Sequence, residues 1–113
     1  MTELIEKKSK FIAYSTAISS ETEAKTIIAT LQKEHKRSKH IVYAYMIDGK
    51  EKFSDAGEPS GTAGLPVLAA IKRRNLENTI VVVVRYFGGV LLGKGGLIRA
   101  YGKVAGLELD KKQ

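Results

Sequence analysis

The chain has 113 residues, carries 19 Lys plus Arg against 12 Asp plus Glu, and has a formal net charge of +7; 43% of its residues are hydrophobic. That is one domain's length with enough apolar content for a core, so a disordered chain is excluded. With no cysteine, disulfide scaffolds, thiol nucleophiles and Cys-based metal sites are excluded as well.

The start, Met-Thr-Glu-Leu-Ile-Glu-Lys-Lys, has early acids and no long apolar run, so it is not expected to be a signal peptide. Nor is any stretch long enough to span a bilayer. A cytoplasmic location is expected. Lys10 to Ile18, free of Gly and Pro, reads as a strand. Ser20-Glu21-Thr22-Glu23 fits a capping box, in which the Ser hydroxyl takes a backbone N–H and the Glu reaches back. Ala24, Ile27, Ile28 and Leu31 then follow helical spacing, which predicts a helix from Glu21 to about Lys36.

Ile41 to Asp48 is apolar at odd and even positions and reads as a central strand. Asp48-Gly49 predicts a tight turn, and Glu51 to Ser54 a short strand pairing back. Residues 55–64 form a loop by composition. A helix follows, starting between Thr62 and Pro66 and ending near Arg73, with Pro66 in its first turn. Thr79 to Phe87, with Ile80 and four consecutive valines, predicts a strand covered on both faces. Gly88 to Gly96 reads as a glycine-rich loop, Leu97 to about Leu107 as the last helix, and Lys111-Lys112-Gln113 as a solvated tail.

This order predicts an α/β (α+β) two-layer sandwich, a mixed four-stranded sheet with about three helices on one face. The other face, carrying Tyr43 and Tyr45, would be open unless strand order buries them.

The richest segment runs from Arg85 to Tyr101. Glycines let a ligand approach backbone N–H groups closely, and the following helix N-terminus favours an anion. No acid lies between Glu77 and Glu108. A phosphate-binding corner is expected, with Arg85, Lys94 and Arg99 on phosphates and N–H groups near Gly95 and Gly96 cradling one. Tyr86 or Phe87 would stack a base, beside Gly88 and Gly89. The bland alternative is a tight strand–helix corner. Gly88 to Lys94 has P-loop spacing, but position 95 is Gly instead of the Ser or Thr that holds magnesium.

A second constellation, Asp55, Gly57, Glu58, Ser60 and Thr62, reads as a recognition loop or as turn chemistry, with Thr62 capping the next helix. The enzymatic alternatives there are an Asp55–Glu58 acid/base pair and a Ser60 nucleophile with His40 as its base. A third, Lys33 to His40, is a solvated helix end or part of a phosphate-binding stripe. No catalytic residue, metal or cofactor is assigned, and the oligomeric state is open.

Arg85-Tyr86-Phe87-Gly88-Gly89 with Gly93 and Gly96 to Tyr101, the block Asp55-x-Gly57-Glu58-Pro59-Ser60-Gly61-Thr62-Ala63-Gly64-x-Pro66, His40-x-x-Tyr43-Ala44-Tyr45 and Lys8 to Ala13 together resemble the Impact/YigZ family. The resemblance covers about residues 7–105. It implies the amino-terminal Impact fold, similar to domain 2 of a small-subunit ribosomal protein and to domain IV of the translocating elongation factor, with a left-handed βαβ crossover.

The resemblance also implies a role in translational control. Eukaryotic members bind the scaffold that activates an initiation-factor kinase under amino-acid starvation, and so damp that stress response. For bacterial members it implies binding to RNA or the ribosome. Three functions are therefore carried forward: a non-enzymatic regulator binding RNA or the ribosome, a protein-interaction module, and a phosphoryl-transfer enzyme of the kind that shares this general fold. Bacterial relatives usually have a second, ferredoxin-like domain; residues 1–113 are expected to be a single Impact-type domain without it.

Overall fold

The computed structural model describes residues 1–111. Among the described residues, five strands and three helices follow in the order β1 (Thr2–Glu6), β2 (Ser9–Ala17), α1 (Glu21–Glu34), β3 (His40–Ile47), β4 (Lys50–Ser54), α2 (Gly64–Arg73), β5 (Thr79–Tyr86) and α3 (Gly93–Asp110). The strands form one sheet in the order β1-β2-β5-β3-β4, every neighbouring pair antiparallel.

The α+β class matches expectation; two details do not. The sheet has five strands and no parallel neighbours. The extra strand, β1, turns into β2 through Lys7 and Lys8, whose φ angles are 44° and 69°. Tight two-residue hairpin turns need positive φ and normally signal it with Asn-Gly or Asp-Gly; two lysines give no such signal. Asp48 and Gly49, with φ of 49° and 76°, make the turn that was expected.

The second difference is the placement of helices. Phe11, Ala13, Val42, Ala44, Val81 and Val83 pack with Val67, Leu68, Ile71, Leu97, Tyr101 and Val104, so α2 and α3 cover one sheet face. On the other, Ile80, Val82, Tyr45 and Ile47 pack with Ala24, Ile28 and Leu31 of α1. Tyr45 is buried there, stacked against Tyr43 at 6.1 Å, with its hydroxyl donating to Glu21. The face read as open is covered by α1. Both faces of β5 are therefore buried, as its valine run predicts, and each fully buried valine contributes roughly 1.5–3 kcal/mol.

Antiparallel pairing of β2 and β3 with the intervening β5 makes β2 and β3 parallel to each other, and likewise β4 and β5. The units β2–α1–β3 and β4–α2–β5 run in opposite directions with opposite strand polarity, so helices on one face would give both the same hand. With α1 and α2 on opposite faces, one crossover must be left-handed, against the strong default.

The helix ends also refine the sequence reading. The Ser20 hydroxyl accepts from Glu23 N at 3.1 Å, whereas Glu23 reaches back to Ser19 and not Ser20. Thr62 does not cap α2. The Asp55 carboxylate takes the amides of Gly61, Ala63 and Gly64 at 3.0, 3.2 and 2.8 Å, while the Thr62 hydroxyl donates to Pro59 O. Helix α3 begins at Gly93, whose φ of 75° is left-handed, so Gly95 and Gly96 of the expected loop lie in its first turn. Of the expected tail, Lys111 donates to Met1 O; Lys112 and Gln113 lie outside the described residues.

Candidate functional site

The pleat of β5 sends Val81, Val83 and Arg85 to the α2/α3 face. Register places Phe11 of β2 and His40 of β3 on either side of Arg85. Arg85 is 5% exposed. Its Nη1 donates to both oxygens of Glu58, at 2.9 and 2.7 Å, and Nη2 donates weakly to Ser9 Oγ at 3.4 Å. The guanidinium lies 5.6 Å from the ring centres of Phe11 and Phe87. Its Nε is buried without a hydrogen-bond partner among the described residues.

Glu58, also buried, accepts from the Tyr101 hydroxyl as well. Burial pushes the Tyr101 phenol far above the ordinary tyrosine range; the bond to Glu58 and its charge act the same way, and Arg85 opposes them. Tyr101 thus remains a donor at any working pH. His40 Nδ1 lies 2.7 Å from Ala56 O, a pure acceptor, so Nδ1 carries a hydrogen. Its Nε2 stands 3.3 Å from Glu58.

This corrects the sequence reading of Arg85: its charge is spent inside the protein, not on a phosphate. Glu58, Asp55 and Thr62 are likewise turned inward, whereas Gly57 and Ser60 are exposed. Both nitrogens of His40 face other atoms, so no Ser60–His40 nucleophile pair is assembled. Tyr101→Phe should remove one bond to the buried carboxylate and cost about 1.5–3 kcal/mol in urea unfolding; no change in stability would show that this hydroxyl contributes nothing to holding Glu58.

Above these groups lies a cleft of about 400 Å³, lined by Phe87, Leu91, Leu92, Leu97 and Pro59, with Lys39 and Lys94 among its lining residues. Four separate chain segments meet here because β3 starts where β5 ends. Beyond the cleft, α3 begins with no side-chain cap and no acid in its first turn, leaving amides without intrahelical partners. Lys94 lies on the cleft side. Arg99 folds back over the same turn, its Nη1 3.3 Å from where a Gly95 Cβ would sit. Arg99 is exposed and makes no ion pair among the described residues.

A model of the Impact N-terminal domain matches residues 7–109. The chain belongs to the Impact family. The Bacillus subtilis protein named IMPACT family member YvyE is 49% identical over 104 residues, covering 89% of this chain and 48% of that protein. A crystal structure of a hypothetical protein superposes with a TM-score of 0.89 at 35% identity, covering 97% of this chain and 57% of that one. The two-domain translational regulator Yih1 superposes at 0.60 and 24% identity, over 95% of this chain and 45% of its own, a likeness of fold alone. The chain spans about half the length of the curated bacterial relatives it matches.

Within this Impact domain, the remaining expected site residues divide by strand pleat. Tyr86 points to the face opposite Arg85, where its hydroxyl meets His35 Nδ1 at 2.6 Å while His35 Nε2 meets the Tyr14 hydroxyl at 2.9 Å. Tyr86 is therefore not beside the cleft, and Phe87, 46% exposed, is. Gly88 donates its N–H to Ser9 Oγ at 3.2 Å and packs on Lys8; Gly89, at φ 90°, borders open space. Sequence reasoning missed Ser9 and Tyr101 as site residues, and offered Lys39 only within the Lys33 to His40 stripe. The only sequence signal of Ser9 and Tyr101 is membership of the resembling segments.

Another groove of about 410 Å³ lies on the α1 face between α1 and β2, lined by Tyr14, Thr26, Ile27, Thr30 and Glu34 among others. It lacks the converging charges of the first. Among the described residues no three His, Asp or Glu side chains are grouped to hold a metal ion, and no helix is long and apolar enough to cross a membrane.

Proposed function

We propose that this Impact domain serves translation, in the cytoplasm, by binding RNA or the ribosome through the first turn of α3. The observation that carries the reading is the uncapped start of α3 flanked by Lys94 and Arg99, in a segment without acids from residue 78 to 107. Unpaired amides, the positive helix end and two cations favour phosphate, and the net charge of +7 favours a polyanion. The N–H groups of the turn containing Gly95 hold a phosphate; Lys94 and Arg99 hold its neighbours. Arg85 acts only by fixing Phe87 and the loop.

The reading is one of binding, not catalysis, because the titratable groups under the cleft are committed to one another: Glu58 to Arg85, Tyr101 and His40. Affinity for single-stranded RNA should fall with salt at a log–log slope of about −0.7 per phosphate neutralised. Lys94→Ala with Arg99→Ala should lower affinity about tenfold or more and flatten that slope by about 1.4. Affinity unchanged between low and physiological salt, or unmoved by the double substitution, overturns the reading; ribosome co-sedimentation over the same salt series checks the assembly.

A second reading, docking on a protein scaffold of translational control, has support in Leu91, 80% exposed, next to the exposed Val90. A specific pull-down that survives nuclease and moderate salt and is lost with Leu91→Ser favours it over the first.

A further inference from the structure

We propose that the cleft at the end of β5 receives one base of a single-stranded RNA, stacked on Phe87, with the adjoining phosphates on Lys39 and Lys94. This rests on the RNA-binding reading above and adds which part of the RNA is recognised.

A volume of about 400 Å³ suits one small guest. The cleft is concave, so a base enters only when it has left its stack, which a single strand permits and a duplex resists. The walls are apolar: Phe87, Pro59, Leu91, Leu92 and Leu97. Phe87 carries the Arg85 guanidinium at 5.6 Å from its centre, which holds the ring in place, and 46% of the residue remains exposed. Such a ring is a stacking platform that accepts any base.

The charge pattern selects the guest. The one carboxylate lining the cleft, Glu58, is neutralised by Arg85, and the exposed ionic groups in the lining, Lys39 and Lys94, are both cationic. Lys36 and Arg37 precede Lys39 on the same connection. A flat guest with apolar faces and negative charge to either side is a nucleotide within a strand. An apolar peptide side chain would fill the walls but leave the cations without partners.

Arg85 lies beside the stacking ring as its support and not as a donor to the guest. Arg85 lines the cleft, and its Nε is buried without a partner among the described residues. Such orphans are rare in folded proteins.

The test compares three probes by fluorescence anisotropy at one salt concentration: a single-stranded oligoadenylate, the same strand carrying abasic sites, and its duplex with oligouridylate. The intact strand should bind about tenfold tighter than either of the others. Phe87→Ala should weaken the intact strand by about 5- to 100-fold and leave the abasic strand and the salt slope unchanged, while Phe87→Tyr retains binding. Phe87 is at the surface, and circular dichroism checks that both variants fold. Equal binding of intact and abasic strands, with steep salt dependence, would sink base capture and leave phosphate binding standing. Failure of all three probes to bind would sink both.

Discussion

Glu58→Ala should destabilise the protein by about 3–5 kcal/mol, because it strands a buried guanidinium. Arg85 has only weak alternatives: a 3.4 Å contact from Nη2 to Ser9 and two aromatic rings. The same substitution leaves the fully buried Tyr101 hydroxyl without its acceptor, and an unsatisfied buried polar group costs about 1–3 kcal/mol in its own right. These terms share one network, so they do not simply add.

The measurement is urea unfolding of Glu58→Ala, Arg85→Met and the double variant. The double variant should recover much of the loss, since apolar replacement of a buried ion pair is often neutral whereas removal of one partner is not. A single-variant loss below about 1 kcal/mol, or a double variant as unstable as Glu58→Ala alone, would show that Arg85 is not held by this carboxylate.

Gly88→Ala should cost about 3 kcal/mol or more, at or beyond the upper end of ordinary overpacking. A Cβ at Gly88 would lie 2.0 Å from Lys8 O and 2.1 Å from Lys8 C. Both are backbone atoms of the β1–β2 turn and cannot rotate aside, so the hairpin itself must move. The Gly88 N–H bond to Ser9 Oγ at 3.2 Å would go with it. Hydrogen exchange should therefore accelerate at β1 amides while β5 amides stay protected. Gly89→Ala is the control: its Cβ would meet nothing within 4 Å, and only the positive φ is penalised, by about 1–2 kcal/mol. Equal losses for the two substitutions would show that close packing on Lys8 is not what Gly88 serves.

Together the two substitutions probe what holds the candidate site in place. Glu58 clamps Arg85 and, through it, the ring of Phe87; Gly88 lets the β1–β2 turn sit against the start of the loop. Neither residue has to touch RNA to be needed for the cleft.

The elements visible in the sequence were those with a local cause. Helical spacing at Ala24, Ile27, Ile28 and Leu31, the Ser20 cap, the Asp48-Gly49 turn and the valine run of β5 each depend on neighbours within a few residues, and the fold retains all of them. Strand β1 was illegible because its turn is made by Lys7 and Lys8 against their usual preference, held by a glycine about eighty residues away. The start of α3 differs from the expected one because glycines have poor helix propensity, and only the surrounding fold puts Gly95 and Gly96 in a helical turn, after a left-handed Gly93.

By itself the sequence determined the α+β composition, the two glycine blocks, the acid-free stretch ahead of Glu108 and the family resemblance. Tertiary structure alone decided which charges stay available. A cation next to glycines in the chain looks free until a carboxylate 27 residues away folds onto it, as Glu58 does onto Arg85. Arg99, in the same basic segment, finds no such partner among the described residues. Pairing of buried charges depends on strand register and on which sheet face each helix covers, and these are set by long-range packing.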